Sequence, residues 1–280
     1  MSHSRDVRID SRASPTAQRL SPLGGTTVAT LGTVQVPGYC VTPAQRSLLA
    51  ALVLTRRTGA TNDVLTASLW PRDAPPSARA SVQNQIGRLR RTVGADAIVS
   101  RDGRYFLTTA TDVDHFEDVA AATARPVGTL EPATIEGALS LWRGTPYDEL
   151  ADDHEAQVAR VRLESMRTRL IERLAVERLS RGKYDDAAAS LRVHVAAEPF
   201  HERAWELLIA ARYLAGRRTE ALAEYIVLEE LLADRLDIHP SAALRRLRVT
   251  VATERPLYVN ELIAPNPTAA IQRLDGRRPA

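Results

Sequence analysis

Apolar side chains recur at helical spacing between residues 75 and 94. Val82, Ile86, Leu89 and Val93 step by four, three and four, so they share one face of a helix. Pro75 and Pro76 precede the first turn and Gly94 follows the last, which are ordinary helix boundaries. The next apolar runs, Ile98-Val99 and Tyr105-Phe106-Leu107, flank Asp102-Gly103, a strong short-range signal for a β-hairpin. Upstream, residues 28–36 alternate partly and predict one or two short strands before a turn at Pro37-Gly38. Thr42-Pro43 supplies an N-cap and an N1 proline for a helix through Leu48, Leu49, Leu52 and Val53. Thr61 caps a second, short helix containing Val64, Leu65, Leu69 and Trp70. Together these elements predict one α+β domain over about residues 27–110.

Beyond residue 110 the pattern is helical only. Short helices are expected over 115–122 and 134–142, then a loop with Gly144 and Pro146. A long helix is expected from near Asp152 to about Ser180, with Leu163, Met166, Leu170 and Leu174 on one face. Gly182 and Gly216 then lie 34 positions apart (216 − 182), the tetratricopeptide period. In that register Leu174 pairs with Leu208, Ala187 with Ala221 and Leu191 with Tyr225. Trp205 takes the opening tryptophan position and Pro199 the closing proline. His239-Pro240-Ser241 opens a last helix through Leu244 and Leu247, which would cap a stack of helix pairs. The fold class expected is mainly α: an N-terminal winged-helix-like α+β domain (27–110), then an all-α tetratricopeptide-like repeat domain (111–254). Residues 1–26, rich in Ser, Arg and Thr, and the polar stretch 255–280 are read as a disordered N-terminal segment and a flexible tail.

Composition narrows the function classes. At 280 residues with 44% hydrophobic content, the chain can build two cores. It holds no run of 18 apolar residues and begins without an apolar signal core, so a cytoplasmic protein with no membrane partner is expected. Cys40 is the single cysteine; internal disulfides and cysteine-based zinc sites are excluded, and a small buried hydrophobe is expected there. The six histidines (3, 115, 154, 194, 201, 239) show no ligand spacing, and no phosphate loop or nucleophile–histidine pattern is present. No cofactor, no metal and no enzymatic activity are expected. The acids at Asp152-Asp153-His154-Glu155 read as a helix N-terminus, where negative charge suits the dipole.

Charge is concentrated where the first helix pattern lies. Residues 77–104 hold six arginines against two aspartates, a balance of +4, while the whole chain is +3. With the apolar residues of the 77–93 helix turned inward, Ser77, Ser81, Asn84, Arg88 and Arg91 face outward. Short amides and hydroxyls followed by arginines suit base edges and phosphates respectively. Asn84 is the candidate reader of adenine, with Ser81 and Gln85 beside it. Arg79, Arg88, Arg91, Arg101 and Arg104 are candidate phosphate contacts, the last two flanking the hairpin turn. Arg90 points nearer the buried side and is expected to pair within the domain. The plainer alternative is a solvated amphipathic surface helix.

Several motifs carry a family resemblance. Val82-x3-Ile86-Gly87-Arg88-Leu89-Arg90-Arg91 resembles the end of the third helix in OmpR-type winged helices. Ala138-Leu139-Ser140-Leu141-Trp142-Arg143-Gly144, Glu198-Pro199-x2-Glu202-x2-Trp205, Gly216-Arg217-x2-Glu220-Ala221-Leu222 and Leu236-Asp237-Ile238-His239-Pro240-Ser241 resemble the bacterial transcriptional activator domain. In this order, over about residues 27–253, they resemble short members of the Streptomyces antibiotic regulatory protein family. His239 departs from the acidic residue common at its position, and the Asn84-Gln85 pair is not a fixed feature. The resemblance implies an activator of a secondary-metabolite gene cluster that binds promoter DNA at direct repeats. It also implies recruitment of RNA polymerase through its sigma or alpha subunit, and self-association on DNA. A tetratricopeptide adaptor that makes no specific use of its winged helix is the competing class. It leaves the arginine-rich segment without a role.

Overall fold

The structure is a computed structural model that describes residues 28–257 and Leu262; the segments read as a disordered N-terminus and most of the tail lie outside the described residues. The chain forms two compact units, one from Met1–Asp118 and Ser140–Glu164, the other from Val119–Leu139 and Ser165–Ala280. Helix dominates, with one small three-stranded sheet. No described helix is long and apolar enough to cross a membrane.

In the first unit, α1 (Pro43–Leu54) opens on a capping box. Thr42 Oγ1 accepts from Gln45 N, and Gln45 Oε1 accepts from Thr42 N, which satisfies two otherwise orphaned amides. β1 (Ala60–Thr61) leads into α2 (Asn62–Leu69), capped by Thr61 Oγ1 on Val64 N. α3 (Ala78–Val93) follows, and then β2 (Ile98–Arg101) and β3 (Arg104–Leu107). The sheet order is β1-β3-β2, all antiparallel, with Ser100 opposite Tyr105 and Ala60 also opposite Tyr105 on the far side. Leu48, Leu49, Leu52, Leu65, Val82, Ile86 and Leu89 are all buried.

The segment before α1 forms bridges rather than the continuous strands expected. Ala29 pairs with Gln35, Val36 with Tyr39 and Val28 with Thr111, because the amides of Thr30 and Leu31 are taken by a side chain instead of a strand. Asp112, at the start of α4 (Asp112–Ala122), accepts from Thr30 N at 2.7 Å and Leu31 N at 2.9 Å. Arg143 completes this clasp: its backbone N–H donates to Leu31 O at 2.7 Å and Nη2 donates to Asp112 Oδ2 at 2.8 Å. Burial pushes the Asp112 carboxyl above the usual carboxylate range, against the pull of the Leu31 and Thr30 amides and of Arg143. Gly32, at φ 129°, passes so close that a Cβ there would lie 2.8 Å from Gly144 N. The Trp142-Arg143-Gly144 motif therefore has a packing role. It also ends α5 (Pro132–Leu139) earlier than the expected Trp142, since Trp142 turns edge-on to Phe116, ring centroids 5.5 Å apart. Cys40 is exposed, not the buried hydrophobe expected, because it follows the Val36–Tyr39 turn ahead of α1.

In α6 (His154–Ser180) the acidic start behaves as its sequence suggests, Asp153 Oδ1 accepting from Ala156 N. The second unit continues through α7 (Tyr184–Ala197), α8 (Glu202–Leu214), α9 (Arg218–Leu236) and α10 (Ala242–Ala252), with consecutive helices packed on one another. The 34-residue spacing is repeated in the hydrogen bonds of the turns. Gly182 N donates to Leu179 O and Lys183 N to Arg178 O; 34 positions on, Gly216 N donates to Tyr213 O and Arg217 N to Arg212 O. The register pairs Leu174–Leu208, Ala187–Ala221 and Leu191–Tyr225 are all buried. Trp205 Nε1 donates to Pro199 O at 2.8 Å. Leu257 and Leu262, in the stretch read as a tail, also pack on this core. Glu177 on α6, fully buried, ties down residues 123–131. It accepts from Arg173, Arg181 and Gly128 N, while Arg173 and Arg181 also donate to Thr123 O, Pro126 O and Leu130 O. Burial alone would raise the Glu177 carboxyl, but Arg181, the Gly128 amide and Arg173 hold it below the usual glutamate range.

Candidate nucleic-acid interface

The site is built on α3 and the hairpin that follows it. The buried face of α3 is Ala78, Val82, Ile86, Leu89 and Val93, seated on α1 and α2. This burial fixes the opposite face toward solvent. Ser77, Arg79, Asn84, Arg88 and Arg91 are exposed, and Ser81 is half-buried. Asn84, Arg88 and Arg91 step by four and three, so they form one row over the second half of the helix. Ser77 stands at the N-cap without using its side chain to cap, and the amide of Ala78 in the first turn donates instead to Pro75 O.

Gln85 departs from its sequence reading. It is half-buried, and its Oε1 is enclosed with no hydrogen-bond partner among the described residues. One position past Asn84 rotates a side chain about 100° around the helix, enough to turn Gln85 toward the flank instead of the outer row.

The hairpin turns through Asp102 (φ 50°) and Gly103 (φ 73°). Two successive positive φ values make a type I′ turn, whose twist matches its strands and whose second position suits glycine. Arg101 and Arg104 are register partners at the tip, and both are exposed. Arg104 is anchored on one side, Nη1 donating to Gly59 O at 3.1 Å. Arg90 behaves as its position suggests: Nε donates to Ile98 O at 2.8 Å. Thr108 reinforces the same junction, donating through its amide to Ala97 O and through Oγ1 to Asp96 O. The helix and the hairpin are thus held as one body by bonds between them.

The arginines of this surface form a cluster that the described residues do not neutralise. Thirteen arginines elsewhere (56, 57, 143, 162, 173, 178, 181, 192, 203, 212, 217, 218 and 248) each meet a carboxylate within 4 Å. Arg79, Arg88, Arg91, Arg101 and Arg104 meet none among the described residues. Five unneutralised guanidiniums on one helix and its hairpin make a local positive field suited to phosphate oxygens. Arg72, exposed in the α2–α3 connection and likewise without a carboxylate partner among the described residues, extends this set. Sequence pattern missed it because it lies in a loop without periodicity. Among the described residues no group of three metal-ligating side chains is present.

Comparison with known proteins agrees in its coarse outline. The family described as bacterial transcriptional activator domain matches residues 111–251. The regulatory protein AfsR of Streptomyces coelicolor is 34% identical over 246 residues, covering 85% of this chain. The chain spans only about a quarter of that relative's length, 25%. The regulatory protein DnrI of Streptomyces peucetius is 30% identical over 243 residues, covering 78% of this chain and 88% of that protein. A solved structure of Mycobacterium tuberculosis EmbR, in complex with a low-affinity phosphopeptide, superposes with a TM-score of 0.72 at 27% identity. It covers 91% of this chain and 72% of that one.

Proposed function

The chain belongs to the bacterial transcriptional activator domain family, and from that premise we propose that it activates transcription by binding promoter DNA through α3 and the β2–β3 hairpin. In this reading the first unit is a winged helix of the OmpR type. α3 enters the major groove with Asn84 at base edges, Ser81 beside it, and Arg88 reaching a guanine or a phosphate. Arg79 and Arg91 hold the flanking backbone, and the hairpin sets Arg101 and Arg104 against the adjacent phosphates. The observation that supports this most is the cluster of unneutralised charge: Arg79, Arg88, Arg91, Arg101 and Arg104 lie on one helix and its hairpin, exposed and without a carboxylate partner among the described residues.

The helix pairs of the second unit, read as tetratricopeptide-like, supply the protein-binding half of the proposal. Stacked helix pairs offer extended surfaces that bind proteins, and the partner proposed is RNA polymerase through its sigma or alpha subunit. Self-association on direct DNA repeats and control of a secondary-metabolite gene cluster belong to the same reading. No cofactor and no enzymatic step enter it, and the site of action is cytoplasmic.

The test uses the full chain on the DNA upstream of its own and neighbouring genes. Mobility shifts at several salt concentrations measure specific against random-sequence affinity, and transcription with purified polymerase measures activation. A preference of about a thousandfold for one upstream site, with transcription rising on that template, is expected. Equal affinity for every DNA, with no rise in transcription, would contradict the proposal and favour the adaptor.

A further inference from the structure

Three side chains from successive helical segments of the second unit meet in one hydrogen-bonded chain. His194, buried on α7, places Nε2 2.8 Å from Nδ1 of His201, the residue preceding α8. The other His201 nitrogen, Nε2, lies 2.8 Å from Glu172 Oε1 on α6. The two rings stand edge to face, 86° apart with centroids at 5.1 Å. The backbone between them is a tight turn: Glu198 N donates to His194 O, His201 N to Glu198 O, and Ala204 N to His201 O. The two imidazoles therefore anchor both ends of the α7–α8 turn, and Glu172 joins that turn to α6.

Proton accounting limits what this chain can hold. With both rings neutral, His194 Nε2–H donates to His201 Nδ1, and His201 Nε2–H donates to the Glu172 carboxylate; every facing atom is satisfied. One added proton on His194 Nδ1 leaves that order intact. Two added protons place N–H against N–H across 2.8 Å and set two cations side by side. The pair thus accepts one proton without disruption and a second only by breaking its central bond.

We infer that Glu172, His201 and His194 form a clasp over α6, α7 and α8 that stays closed while the two imidazoles carry at most one added proton, and that acidification opens it. The charged groups acting on His194 are Glu172 and Arg167 from α6, Glu198 at the end of α7 and His201 ahead of α8. Burial first, and then His201, keep His194 below the ordinary histidine value of 6.5, in opposition to Glu198. Below 6.5 the unfolded chain accordingly binds more protons than the folded one, so the clasp's contribution is complete above that pH and declines as pH falls. This inference concerns the second unit alone and stands apart from the DNA-binding proposal.

Imidazole ¹⁵N resonances and amide exchange of the full chain, followed from pH 8 to pH 5, test it, with His201→Gln and Glu172→Gln as variants. The clasp predicts that His201 holds its Nε2–H tautomer at high pH and that the two rings take up their protons in two separate steps, not independently. It also predicts that the protection of amides 198–204, relative to their intrinsic exchange, is unchanged by the first proton and falls roughly tenfold with the second, with no such step in His201→Gln. Ring titrations independent of each other, with unchanged protection in the turn, would overturn it. A variant that fails to fold leaves the wild-type titration as the deciding result.

Discussion

Arg90 on the last turns of α3 donates through Nε to the carbonyl of Ile98, the first residue of the hairpin, across 2.8 Å. The helix that faces outward and the strand that carries Arg101 are therefore coupled by this guanidinium, beside the Thr108 bonds to Ala97 O and Asp96 O. Arg90→Gln should lower stability by about 1 kcal/mol, the usual worth of a partly buried bond. It should weaken the cognate complex more than random-sequence DNA, because the hairpin no longer holds its angle to α3. Denaturant unfolding and mobility shifts on the same variant separate the two effects. A stability loss with unaltered discrimination would reduce Arg90 to a structural role.

Gly32 and Gly38 both have positive φ, 129° and 83°, but only Gly32 is crowded. Gly38→Ala adds backbone strain alone, about 1–2 kcal/mol. Gly32→Ala adds that strain and a Cβ 2.8 Å from Gly144 N and 2.9 Å from Arg143 C, and should cost about 2 kcal/mol more. Comparison of the two variants in urea checks this, and equal costs would contradict the clasp between residues 30–32 and 143–144.

Much of the local structure was legible in the sequence, because it depends on short-range chemistry. Thr42-Pro43 and Thr61 place the starts of α1 and α2, Asp102-Gly103 places the hairpin turn, and the glycine spacing places the turns after α6 and α8. The outward row of α3 follows from its buried row in the same way. What periodicity does not carry is long-range polar pairing. Asp112 reaches back 82 and 81 positions to Thr30 and Leu31, which replaces the expected strands with bridges and pulls Trp142 and Arg143 out of helix. A fragment ending at residue 110 would lack Asp112 and leave those two buried amides without their acceptor. At the candidate site, the enclosure of Gln85 Oε1 depends on neighbouring elements and had no signal in the helical pattern. The meeting of Glu172, His194 and His201 was invisible for a similar reason, since their separations of 29 and 7 positions match no ligand spacing.

Glu177 is fully buried between Arg173, i−4 on α6, and Arg181, i+4 and just past the end of that helix. Glu177→Gln leaves two guanidiniums short of their shared acceptor and should destabilise the second unit by about 3 kcal/mol at pH 7. The native carboxyl sits below its usual value of 4.5, so the unfolded chain takes up the proton first as pH falls past that value. Wild-type stability should therefore fall on acidification below about 4.5 more steeply than that of Glu177→Gln. Thermal unfolding between pH 3 and 6 measures both slopes; parallel curves would contradict the assignment.

The hairpin arginines make a separate, salt-dependent prediction. Arg101→Ala should shallow the slope of log K against log salt by about one, with little change in stability. Arg104→Ala should do the same and also loosen the Gly59 junction. Slopes unchanged in both variants would remove the hairpin from the DNA interface.

The central claim, that the outer row of α3 reads base sequence, is tested most directly at Asn84. Its exposed amide matches the paired acceptor and donor of adenine in the major groove. Affinities of Asn84→Ala for the cognate upstream site and for random DNA, measured at one salt concentration, give the answer. Weakening of the cognate complex by about 1–3 kcal/mol, with random-sequence affinity within about twofold of wild type, is the result expected. An equal loss on both DNAs, or none on either, would contradict it.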